Sequence, residues 1–373
     1  MPSLFRPLVA LGLGLLAIAG PAAAETRPAP HAEPRKVIID DDGFALMQAM
    51  LLKAPDVEVL GITTVSGDFW QNRATAMALR GLELVDRKEV PVSAGATFPL
   101  VNSEALTDRW EALYGKLTWR GAWMHHWVEP TEQAEPEYHG PFDPVHLAWG
   151  DARLKPTGET AAAFLIRMVH KYPHQITIVA CGPMTNLALA QKLDPEFAGL
   201  TKELLYMGGS LNPHQVLEGR AASDFAREFA NSPRREFNFR FDPEAASIMS
   251  HSPFPKITAV PVDPSTATQL SPAFIARLKA SAPAAMQPLF ASLAPGFPLW
   301  DEIVAAVWLD PSLEKDGEDL YLDADTQFGP AYGDMLSWRE HYQPGLGEQK
   351  AHVVRSIDVP RFEALITQLV GRR

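Results

Sequence analysis

From Val37 onward, short apolar runs rich in β-branched residues alternate with stretches whose apolar positions recur at helical spacing. The runs predict strands over 37–40, 57–65, 90–93, 176–181, 204–207 and 257–262. Between them the spacing predicts helices over 45–53, 73–85, 160–172, 185–192, 243–249 and 272–278. Strand-like segments at 320–322 and 352–357, then a helix over 360–369, close the pattern. Strands and helices in this alternation build an α/β fold, with a mainly parallel central sheet flanked by helices. Two stretches break the rhythm: 102–156, dense in Trp, His and Pro, and 212–235, charged and turn-rich. Insertions of such length usually serve as lids or partner surfaces.

In a parallel sheet the carboxyl ends of the strands share one edge, and ligands bind there. The chemistry is therefore expected at 40–42, 66–68, 181–186 and 207–210, all polar or glycine-rich. The first of these holds three consecutive aspartates, Asp40, Asp41 and Asp42, between Val37-Ile38-Ile39 and Gly43. One Asp at a strand end reads as a helix cap. Three packed together repel and lose water, which points to a compensating cation or a network of donors. A hard divalent ion held by oxygens is the economical answer, with the remaining carboxylate left to bind hydroxyls or take a proton from water.

The other loops add weaker signals. Residues 61–68, GITTVSGD, carry a buried strand to a polar tip, or simply to a turn and a cap. In 179–188, VACGPMTNLA, Gly-Pro ends a strand and leaves carbonyls such as that of Cys181 free to face a ligand. Cys181 itself has no histidine partner in evidence and reads as a small buried residue, not a nucleophile. After 206–210, YMGGS, the run 235–246 places Glu236 and Asn238 two apart on an extended segment, both on one side, which suits a polyol such as ribose. Trp300, Asp301 and Glu302 open a helix, where the acids also favour its dipole.

Ahead of this pattern lie Arg6, an apolar stretch over 8–18, Pro21 and Ala22-Ala23-Ala24. The stretch is too short to span a membrane and ends in small residues, so 1–24 reads as a secretory signal peptide and 25–35 as a disordered lead-in. Export to the periplasm or medium follows as an expectation. Residues 36–373 are then read as a single domain with long lid insertions. The single cysteine precludes an intramolecular disulfide, leaving core burial to hold the fold. A formal net charge of −12 argues against nucleic acid and anionic membrane surfaces as partners and favours small neutral or cation-assisted substrates.

The collinear segments GITTVSGD, CGPMTNLALA, YMGGS, EFNFRFDPEAA and WDEIVAAVWLDP, preceded by the aspartate cluster, resemble the inosine/uridine-preferring nucleoside hydrolase family. The resemblance runs from about Lys36 to the last helix. It implies calcium-dependent cleavage of the N-glycosidic bond of ribonucleosides, with Asp42 as metal ligand and general base. Asp40, Asp301 and the main-chain carbonyl of Cys181 would complete the metal site. Asp41, Asp68, Met207, Asn231, Glu236, Asn238 and Trp300 would meet the substrate. The family is often oligomeric, so a homo-oligomer is compatible with the resemblance. Two departures stand out: the aspartate motif is compressed, and Trp300 replaces a histidine that protonates the leaving base. Losing such an acid typically costs about 10²- to 10⁴-fold. Trp300 would instead stack on the base, while His125, His126 and His139 are candidate acids or plain loop histidines. The aromatic set Trp110, Tyr114, Trp119, Trp123 and Trp127 reads as the packing core of a lid rather than a stacking surface. The alternatives are a nucleoside- or sugar-binding protein that has lost turnover and a hydrolase of another N-ribosyl substrate.

Overall fold

The apolar run of β1 (Arg35–Asp41) lies inside the sheet between two parallel neighbours, β2 (Val57–Thr64) and β4 (Ile176–Ala180), and is buried on both faces because helices pack on either side. A strand covered on both sides reads as continuously apolar rather than alternating. The structure is a computed structural model that describes residues 33–128, 135–211, 236–291 and 293–372. The leader, Asn231 and the 212–235 insertion lie outside the described residues. Outward from β2 comes β3 (Val92–Ala94); outward from β4 come β5 (Glu203–Met207) and β6 (Ile257–Val260), all parallel. β9 (Lys350–Ile357) adds in parallel to β6, whereas β7 (Glu314–Ala324) and β8 (Met335–Trp338) complete that end as antiparallel strands. The order is β3-β2-β1-β4-β5-β6-β9-β7-β8, a nine-stranded, mostly parallel sheet.

The two faces of the sheet seed two cores. Val37 and Ile39 point into one with α1 (Leu46–Lys53), α2 (Gln71–Leu84), α9 (Pro272–Ser281), α10 (Asp301–Leu309) and α11 (Val359–Val370). Ile38, Ile176 and Ile178 point into the other, with α4 (Ala161–Lys171), α5 (Thr185–Leu193), α6 (Phe197–Leu200) and α8 (Pro243–Ser250). The period of two along each strand separates these sets. At about 25 cal/mol per Å² of apolar surface, fully burying each such side chain contributes ~1.5–3 kcal/mol, so the cores carry the stability without a disulfide. Among the described residues no helix is long and apolar enough to cross a membrane.

The chain runs from β1 outward through β2 to β3, then returns to place β4 on the other side of β1. Such a reversal is where open α/β sheets form their ligand crevice, here beyond the carboxyl ends of β1 and β4. The aspartate triplet closes β1 there, and Cys181-Gly182-Pro183 closes β4.

Two segments differ from expectation. The first insertion contains a helix, α3 (Glu104–Tyr114), capped by the Ser103 side chain, and a tight turn at Gly121–Trp123. Its Trp110 and Trp123 are buried, and Trp123 stacks on Phe241 with ring centroids 4.3 Å apart, as a packing core would require. The second is the segment around Glu236, which is not extended. It forms the short helix α7 (Phe237–Phe241), because the Glu236 carboxylate accepts from the Asn238 and Phe239 amides and so caps it.

Candidate active site

Asp40, Asp41 and Asp42 are 0, 2 and 6% exposed, so the triplet is interior rather than a solvated turn. Glycines let the neighbouring loops close over it. A Cβ at Gly67 would collide with the Asp42 carboxylate and Pro183, and one at Gly182 would lie 3.0 Å from the Asp42 amide nitrogen.

Each aspartate is held differently. Asp40 Oδ1 accepts from the Thr63 hydroxyl and from Asn186 Nδ2, the latter at 2.7 Å. Asp40 Oδ2 is buried with no hydrogen-bond partner. Asp41 Oδ1 accepts from the Asp42 amide at 2.8 Å, and its Oδ2 accepts from Gln48 Nε2. The other end of Gln48 accepts from the Ala45 amide at 2.6 Å, so this one side chain both starts α1 and clamps Asp41. Asp42 Oδ2 accepts from the Asp68 amide at 2.6 Å.

Across the crevice, Asn238 Nδ2 donates to the carbonyls of Cys181, at 3.0 Å, and Met207, at 3.1 Å. The Cys181 carbonyl is thus not free, as the sequence suggested, although a carbonyl oxygen keeps a second lone pair. Glu236 accepts from Gly209, Asn238 and Phe239 amides, which ties the YMGGS loop to α7. Asp68 lies at the rim and accepts from the indole nitrogen of Trp119, whose ring stacks on Trp127 at 5.4 Å. Trp300 sits at the N-cap of α10, edge-on to Phe297, with Asp301 and Glu302 in the first turn. His125 meets Glu104 at 2.7 Å and stacks on Tyr138, and His126 pairs with Glu135, both on the surface. His139 bonds the neighbouring Gly140 carbonyl.

Crowding raises the acids' proton affinity. Burial pushes Asp40 up to about 7 against the opposing Thr63 and Asn186 bonds. It pushes Asp42 up to about 8, reinforced by the charge of Asp68. Asp41 is held well above the carboxylate range by burial, then by the charges of Asp301 and Asp42. Asp301 is held up likewise by burial, then by Glu302 and Asp42. The first and last functional segments of the chain therefore feel one another's charge. A divalent cation reverses this logic by favouring every ionised carboxylate around it.

The donors fit such an ion. Carboxylates and main-chain carbonyls are the hard oxygens that calcium takes, and the partnerless buried Asp40 Oδ2 is an acceptor in want of a positive group. Among the described residues, the only trio of His, Cys, Asp or Glu ligand atoms within 4.8 Å of one another is His170, Asp194 and Glu196. That is a different cluster, in which His170 already pairs with Asp194. The oxygens of the crevice are spread more widely.

Gln48, Thr63 and Asn186 have no individual signal in the sequence, and Trp119, read there as lid packing, also donates to Asp68. Asn186 lies inside the CGPMTNLA run, which was the one signal for it.

A family model described as inosine-uridine preferring nucleoside hydrolase matches residues 37–364. An uncharacterized protein of Schizosaccharomyces pombe is 28% identical over 347 residues, 88% of this chain and 83% of that one. The pyrimidine-specific ribonucleoside hydrolase RihB of Escherichia coli O139:H28 is 26% identical over 323 residues, 81% of this chain and 86% of that one. Among solved structures, the plant nucleoside hydrolase PpNRh1 superposes with a TM-score of 0.66 at 22% identity, covering 91% of this chain and 100% of that one.

Proposed function

Since this chain belongs to the inosine-uridine preferring nucleoside hydrolase family, we propose that it hydrolyses the N-glycosidic bond of ribonucleosides to free base and ribose with the help of calcium. The observation that carries the reading is the buried carboxylate cluster at the sheet's reversal point, with Asp40 Oδ2 partnerless inside it. Asp40, Asp42, Asp301 and the Cys181 carbonyl are the residues that would hold the ion. When bound, a calcium ion would supply positive charge that favours deprotonation of a neighbouring water.

Asp42 is proposed to take the proton of the attacking water, its carboxylate oriented by the Asp68 amide. As the glycosidic bond breaks, positive charge grows on the ribose, and the surrounding carboxylates stabilise it. Asp41, Asp68, Met207, Glu236 and Asn238 form the proposed ribose wall. Glu236 already accepts three amides, and a carboxylate has about four lone-pair sites, so it retains one for a sugar hydroxyl. Asn231 is proposed for the same wall. Trp300, whose indole N–H is far too weak an acid to protonate the departing base, offers a ring to stack against it, and the base takes its proton from solvent.

Reducing-sugar release from a panel of nucleosides, with calcium and with chelator, tests the reading. Release that chelator abolishes is expected, and Asp42→Asn should lower it by about 10²-fold or more. Binding without release on any nucleoside would instead support a non-catalytic nucleoside-binding protein, the reading that Trp300 and the compressed aspartate loop favour. The leader-like N-terminus supports export, and activity confined to the cytosolic fraction of the host would refute that part.

A further inference from the structure

The two oxygens of Asp40 live in different surroundings. Oδ1 is doubly bonded by donors, from Thr63 and Asn186, while Oδ2 is equally buried and has none. We propose that Asn186 is a positioning residue that creates this asymmetry, anchoring Asp40 through Oδ1 so that Oδ2 stands free as a ligand for the divalent cation. The proposal rests on the cation site argued above and names what prepares it.

Asn186 is 1% exposed and sits in the first turn of α5. Besides Asp40, its Nδ2 donates to the Thr64 carbonyl at 3.1 Å, and its Oδ1 accepts from the Ala96 amide at 2.8 Å. One amide thereby joins β1, the end of β2, the loop after β3 and α5. With the oxygen claimed by an N–H and the nitrogen by two acceptors, the group has one orientation only, and that orientation aims a donor at Asp40. The fit is enforced by Gly95, where any Cβ would overlap the Asn186 amide. A carboxylate in place of the amide would set a further negative charge against Asp40. An aliphatic side chain would free Asp40 to turn and would orphan the Ala96 amide. Thr63 is the second anchor on the same oxygen: its hydroxyl donates to Asp40 Oδ1 and also lies 3.3 Å from the Ile39 carbonyl.

Groups that orient a metal ligand typically change metal affinity by about 10- to 100-fold when removed. The test is calorimetric titration of calcium alone into the full chain, well below the unfolding temperature. Asn186→Ala is expected to weaken binding by about 10- to 100-fold, with Asn186→Ser and Thr63→Val weakening it in the same direction. Thr185→Val is the control: it removes a neighbouring, equally buried donor that bonds Asp242 at 2.6 Å, and should lose stability while binding calcium as the wild type does. Wild-type affinity in folded Asn186→Ala or Asn186→Ser would overturn the proposal and leave the cation site standing. Equal weakening in Thr185→Val would overturn it too, by showing that general loosening suffices. A wild-type chain that takes up no calcium would overturn the cation site itself, and this proposal with it.

Discussion

At the scale of single residues, the site is made by what fits around Asp42 as much as by Asp42 itself. Gly67 and Gly182 leave room that no other residue would, and the Asp68 amide uses it to reach Asp42. Gly67→Ala is therefore expected to destabilise the chain by about 1–3 kcal/mol through overpacking. Because the displaced group is the proposed general base, sugar release should fall by more than stability alone explains; urea unfolding and a turnover assay on the same folded sample separate the two. Residue types were legible where chemistry forces them into a contiguous run: Asp40 to Asp42, and Asp301 beside Trp300, announced themselves as charges in apolar company. Their partners were not. Gln48, Thr63 and Asn186 are ordinary residues in sequence, and only the meeting of β1, β2, α1 and α5 turns them into anchors; Trp119 was legible as lid packing but not as a partner of Asp68.

At the scale of elements, hydrophobic periodicity located most strands and helices, since buried parallel strands leave unbroken apolar runs. It failed where a local bond overrode the pattern. Two charged or polar residues two apart looked extended at Glu236 and Asn238, yet the Glu236 carboxylate captures two amides ahead of it and starts α7. The antiparallel edge was only partly legible because β7 is largely polar: its register with β9 is marked instead by His352, which meets Glu314 at 2.7 Å and Asp319 at 2.9 Å. Burial pulls the His352 pKa down, but these two carboxylates outweigh it and hold the imidazole above its usual value. A pKa raised by folding means the protonated form stabilises the edge. That contribution is full below the unfolded value of about 6.5 and disappears as pH rises through the higher folded value. His352→Gln should accordingly lower Tm at about pH 6 and converge on the wild type toward about pH 9. A Tm difference that widens with rising pH would refute the assignment.

At the scale of the whole molecule, the fold brings Asp301 close enough to the β1 aspartates, far off in sequence, for the acids to feel one another's charge, which opposes folding unless something compensates. The opposition is visible in Asp41 and Asp301, each held high by burial and then by a neighbouring acid's charge. A ligand that binds only the folded state adds RT ln(1 + [L]/Kd), about 2.7 kcal/mol at a hundred times Kd. Calcium should therefore raise Tm by several degrees and chelator should reverse it, while magnesium, which demands a tighter octahedral oxygen set, should do less. Asp301→Asn separates repulsion from ligation: it keeps the shape of the side chain and removes one of the crowded charges. With chelator present the variant is expected to melt above the wild type, because the remaining acids lose a repelling neighbour. With calcium present the order should invert, since the variant has surrendered a ligand and gains less from the ion. Thermal scans of both proteins with calcium and with chelator measure the four values needed, and an Asp301→Asn chain with undiminished calcium stabilisation would remove Asp301 from the site.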